Sequence, residues 1–110
     1  MQQESLREYP RRKPKVGVPG NAFESEGDII RANIQPMSGT AAAQAYGLQP
    51  SQMRLLLALP DCDIAEDDGL CVQVDADAEP DFRVIYVERW RRNVRAYLRL
   101  IPEAERGGDE

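Results

Sequence analysis

The side chains that most often carry chemistry are few in this sequence, and their spacing does not let them cooperate. Cys62 and Cys71 are its two cysteines and it has no histidine, so a zinc site of the usual nitrogen and sulfur ligands lacks donors. Neither cysteine stands at a helix start or among basic residues that would lower its pKa, and Ser5, Ser25, Ser38, Thr40 and Ser51 have no imidazole to activate them. Asp61-Cys62-Asp63 followed by Asp67-Asp68-Gly69 has the outline of a calcium loop. Counted from Asp61, however, an EF-hand needs glycine and glutamate where Glu66 and Val72 stand. The same acids lie in turn-rich, water-accessible sequence, whereas acid–base catalysis needs a perturbed pair in a cleft. Gly17 and Gly20 sit among prolines, outside the strand-to-helix pattern of a phosphate loop. These residues predict a small non-enzymatic domain, without metal or cofactor, that works through contacts with other proteins.

The charges are more informative than the nucleophiles. The net charge is -5, and it is unevenly spread. No lysine or arginine lies between Leu55 and Phe82, where Asp61, Asp63, Glu66, Asp67, Asp68, Asp75, Asp77, Glu79 and Asp81 all fall. Arg11, Arg12, Lys13 and Lys15 cluster near the start, and Arg83, Arg89, Arg91, Arg92, Arg95 and Arg99 crowd the region before the C-terminus. Such blocks are either solvated faces or complementary patches through which subunits meet, acidic against basic. The arginines from Arg83 to Arg99, interleaved with Tyr86, Trp90 and Tyr97, also fit a nucleic-acid face on a small barrel.

These groups need a scaffold, and 110 residues suffice for one domain. No stretch approaches the ~20 apolar residues that span a bilayer, and the first ten residues lack a signal-peptide core, which points to the cytoplasm and to two reduced thiols. Residues 1–27 are rich in proline and glycine and read as an extended arm outside the core. Ile30, Ala32 and Ile34 alternate with polar neighbours as a half-buried strand ending at Pro36. Ser38 or Thr40 can cap a short helix over Ala41–Ala45, with Gly47 to stop it. Met53–Leu59 is an apolar run read as a strand. After the Asp67-Asp68-Gly69 turn, Leu70, Val72 and Val74 alternate as a third strand. Phe82–Trp90 and Val94–Leu100 form a hairpin around Arg91-Arg92-Asn93, with Val84, Tyr86, Val94 and Leu98 facing the core. Pro102–Glu110 reads as a frayed tail. The expected fold is mainly β: a small antiparallel β-barrel of about five strands over residues 28–101, with one short helix, an extended N-terminal arm and a frayed tail.

The order of these pieces resembles the head-closure, or stopper, proteins of tailed bacteriophages over residues 28–101. That family has a strand of the form Ala-x-Ile/Val-x-Pro, matched by Ala32-Asn33-Ile34-Gln35-Pro36, then a variable loop, here ending Ala45-Tyr46-Gly47. An acidic turn follows, matched by Asp67-Asp68-Gly69, and then a Tyr/Phe-x-Val-x-x-Val strand, matched by Phe82-Arg83-Val84-Ile85-Tyr86-Val87. Phe82 stands where the family often has tyrosine, and the basic arm lies outside the match. The resemblance implies a barrel repeated as a homo-oligomeric ring, of roughly six or twelve copies, in the neck of a virion. The ring would lie below the portal and adaptor rings, meet a tail terminator or tail-tube protein, and hold DNA as a passenger, with no membrane partner.

On that reading the segment Ser38–Gln52 is a candidate channel gate, with Gln44, Tyr46 and Gln49 at its centre; a plain surface loop is the other reading. Asp61, Asp63, Glu66, Asp67 and Asp68 are a candidate acidic channel or interface face that would repel phosphate. Arg11, Arg12 and Lys13 are candidate contacts to a neighbouring ring. The alternatives are a nucleic-acid-binding barrel, or another connector piece such as an adaptor or tail terminator.

Overall fold

The alternation from Ile30 to Ile34 is a strand because hydrogen-bonding partners flank it on both sides. The protein is described by a computed structural model that covers residues 6–18, 20–37 and 52–106. Six strands form: β1 (Arg7–Arg12), β2 (Asp28–Pro36), β3 (Met53–Ala58), β4 (Gly69–Leu70), β5 (Phe82–Arg89) and β6 (Val94–Leu100), followed by a 3-10 turn at Glu103–Glu105. They close into one antiparallel barrel in the order β1-β2-β3-β6-β5-β4, with β4 returning to β1. The expectation of a small antiparallel barrel holds, with six strands where five were read.

Register explains the core. Ile34 faces Leu56, Leu56 faces Ala96, and Ala96 faces Val87, so one row of apolar side chains runs across four strands. Ile30, Ala32, Ala58, Ile64, Leu70, Phe82, Val84, Val94 and Leu98 fill the rest of the interior. At one end the guanidinium of Arg54 lies 5.4 Å from the centre of the Phe82 ring, a cation–π contact that lets a charged residue share an inward row with Leu98.

Four expectations are corrected. The expected arm over residues 1–27 contains a barrel strand, because Arg7–Arg12 pair with β2 and β4 and so close the sheet. Their proline content hid the strand: Pro10 lies on the outward row of a strand whose inward positions are Tyr9 and Arg11. The third strand stops at Leu70 rather than Val74, because the Asp81 carboxylate takes the amides of Val72 and Gln73, at 2.8 and 2.9 Å, in place of a neighbouring strand. Tyr86 is not a core residue. An irregularity between Val84 and Tyr86 inserts one residue, which turns Tyr86 outward to stack on Tyr97 at 6.0 Å and turns Val87 inward. Within its described residues the C-terminal tail is not frayed but forms a 3-10 turn at Glu103–Glu105, and Arg106 Nε donates to the Ile101 carbonyl at 2.9 Å. The expected helix at Ala41–Ala45 lies outside the described residues.

Leu98→Ala should lower stability by about 2–5 kcal/mol, since its side chain is fully buried. Tyr86→Ala should cost about 1 kcal/mol, the worth of a stacked pair on a surface; chemical denaturation of both variants checks the contrast. Deleting residues 1–27 should abolish the cooperative thermal transition, because it removes a barrel strand. A truncated chain that still unfolded sharply near the full-length midpoint would show that β1 contributes little.

Candidate functional site

Arg11 closes the β1–β2 ladder opposite Asp28 and is almost fully buried, so its charge must be met from within the chain. Three carboxylates meet it. Its Nε and Nη2 donate to the two oxygens of Asp28, each at 2.7 Å, in a bidentate pair. Nη1 donates to Asp68 at 3.0 Å and Nη2 to Asp63 at 3.1 Å. These partners raise the already high pKa of Arg11, chiefly through Asp28. Arg11 in turn holds the Asp28 carboxyl below its ordinary range.

Asp68 is the buried acid of the group, 1% exposed. The Ala65 amide donates to its Oδ2 at 3.0 Å, and Lys13 Nζ lies 3.3 Å from Oδ1. The preceding Asp67 has φ of 75°, a left-handed conformation that aspartate tolerates, and it directs its carboxylate to Arg83 at 2.9 Å. Close approach dictates the neighbouring glycines. A Cβ on Gly27 would lie 2.0 Å from the Arg11 carbonyl, and one on Gly69 2.8 Å from the Phe23 ring.

Other arginines tie the remaining loops. Arg12, also buried, donates through Nη2 to the carbonyls of Ala76 and Ala78 and so pins the acidic loop before β5. Arg89 donates to the carbonyls of Cys62 and Ile64 at 2.9 and 2.6 Å. Arg83 reaches Asn21 at 3.1 Å, anchoring the excursion between β1 and β2.

The candidate residues from the sequence therefore separate. Arg11 and Arg12 are buried internal struts, and of that trio Lys13 is the exposed one. Of the five acids offered as one face, Asp68 is buried, Asp63 and Asp67 are ion-paired, and Asp61 and Glu66 lie exposed. Gln44, Tyr46 and Gln49 lie outside the described residues. Cys62 and Cys71 are free, and burial pushes both thiols up. Among the described residues no group of His, Cys, Asp and Glu is placed to hold a metal ion. The sequence reading missed Asp28 and Asp81 as partners, because nothing local distinguishes a carboxylate that will face a distant arginine or amide.

The two ends of β5 carry exposed charge of opposite sign. The β5–β6 hairpin ends in Trp90, Arg91 and Arg92, all exposed, beside a hollow walled by Asn93 and Arg95. The loop at the other end of β5 exposes Asp75, Asp77 and Glu79.

Arg11→Met should destabilise by about 3–5 kcal/mol, because it leaves Asp68 charged and buried without its main partner. Asp63→Ala, whose side chain is 72% exposed, should cost under about 1 kcal/mol. The Asp28 pairing stabilises fully above its unfolded value of 3.8 and is lost as pH falls from there through the lower folded value. Asp28→Asn should therefore flatten the acid limb of the stability profile, measured by denaturant titration at successive pH values. Compared with known proteins, the chain has no matching family model, no matching curated protein and no matching solved structure.

Proposed function

We propose that the chain is a structural component of a tailed-phage head-to-tail connector. It forms a ring below the portal and adaptor that retains packaged DNA and offers the tail its attachment surface. One observation carries this reading: the pieces that resemble head-closure proteins fall in order on one closed barrel. The Ala-x-Ile-x-Pro stretch is β2, the apolar run is β3, the acidic turn leads into β4, and the Phe-x-Val-x-x-Val stretch is β5.

Two further features support it. Pro36 and Arg54 are cross-strand partners, so the chain between them leaves and re-enters the barrel at one point. Both ends of the candidate gate segment therefore attach at one point of the barrel. The loops that flank the barrel are held by arginine side chains rather than by a second core, which suits a small module that repeats and stacks.

The nucleic-acid reading has one feature in its favour, the exposed Trp90 with Arg91 and Arg92. Against it, Arg83 and Arg89 are spent on Asp67 and on loop carbonyls, and Tyr86 is stacked on Tyr97. Among the described residues these contacts interrupt the basic and aromatic run from Arg83 to Arg99 that a strand would follow.

The test uses DNA-filled, tailless heads of the phage that encodes the chain. Heads assembled without it should lose DNA and fail to accept tails, and adding the purified protein should restore both. Heads that keep DNA and accept tails equally well in its absence would overturn the proposal. Tight, steeply salt-dependent binding of free oligonucleotides would favour the rival reading.

A further inference from the structure

The two ends of β5 differ in chemistry, and the differences are complementary. At its C-terminal end Trp90 is 57% exposed, and Arg91 and Arg92 beside it make no ion pair among the described residues. The Nε of Arg95, in the wall of the same hollow, is buried without a hydrogen-bond acceptor among the described residues. A buried donor left unmet is a cost that a small side-chain adjustment toward an acceptor from outside would remove.

At the N-terminal end the loop of residues 71–81 exposes Asp75 and Asp77 without ion pairs among the described residues, and Glu79 lies 4.0 Å from Arg12. This loop is not floppy surface chain. Arg12 holds the carbonyls of Ala76 and Ala78, and Asp81 holds two amides, so the acids are presented on a fixed frame. An apolar landing accompanies them. The excursion after β1 packs Phe23 against Gly69, beside Pro80, and exposes Val16 and Val18, 96% and 39% accessible. Eight residues of β5 separate the two ends by roughly 23 Å at ~3.3 Å per residue, too far for one to neutralise the other within a chain.

We propose that a second copy of this chain is the partner of the hairpin tip. Trp90, Arg91 and Arg92 of one copy seat on the loop of Asp75 and Asp77, and on the excursion that exposes Val16 and Val18, of the next. The contact is heterologous, because the two surfaces differ and lie at opposite ends of a strand, so it propagates head to tail and closes into a ring when the rotation permits. It deepens the connector reading by naming the contact between copies, and it also stands for any assembly the chain makes with itself.

Sedimentation velocity on the full chain at low and high salt reads it out. Wild type should associate at low salt and fall apart as salt screens the contact. Arg91→Glu with Arg92→Glu should be monomeric, as should Asp75→Arg with Asp77→Arg, and an equimolar mixture of the two double variants should associate again. Trp90→Ala should weaken association at least tenfold while its circular dichroism stays that of wild type. A wild-type protein that is monomeric at low salt overturns the inference, as do charge-reversed variants that associate like wild type. In the latter case the ring reading survives with another interface. Open-ended filaments rescued by the mixture would uphold the inference and count against a connector ring.

Discussion

A guanidinium withdrawn from water at the end of a ladder must be surrounded by acceptors, and the arrangement around Arg11 follows from that requirement. Its three carboxylates come from β2 and from two places on the β3–β4 connection. One side chain thus ties the first strand, its partner strand and a long loop to a common point. Because Asp68 is equally buried, neither charge can be removed alone without stranding the other. The pair therefore specifies how the barrel closes more than it adds net stability. The closing seam needs such a device, since β4 offers β1 only two residues of pairing.

The same device recurs with carbonyls as acceptors. Arg12, Arg89 and Arg106 each hold loop or chain-end carbonyls that no strand satisfies. A barrel with so little interior cannot bury its connections in apolar contacts, and charge-assisted hydrogen bonds from long side chains take over that task. The basic residues are consequently of two kinds. Some are internal fasteners, and others, at the hairpin tip, remain available to a partner. Sequence clustering alone does not separate the two.

Function on the connector reading depends on this division of labour. Closing the sheet through β4 covers part of the β1 and β5 edges against unwanted pairing, and on this reading association between copies falls to side chains at the two ends of the barrel. The loop fastened by Arg12 and Asp81 presents its acids in one geometry, which reduces the ordering cost of an encounter.

Period-two alternation by itself determined β2, the end of the sheet at β6 and the identity of most of the core, because a half-buried strand leaves that pattern wherever it lies. The Arg91-Arg92-Asn93 turn was equally legible, being a local matter of polar residues between two β-rich runs. The remaining features depended on residues far apart in the chain. Nothing near Arg7–Arg12 announces a strand, since its pairing is with β2 and β4. Tyr86 alternates correctly until one inserted residue reverses its face. The roles of Arg11, Asp68 and Asp81 arise only when folding brings a charge to a partner up to 57 residues away. Local sequence carries the propensity to extend and the preference for burial; which charges are buried together is decided by the register of the whole sheet.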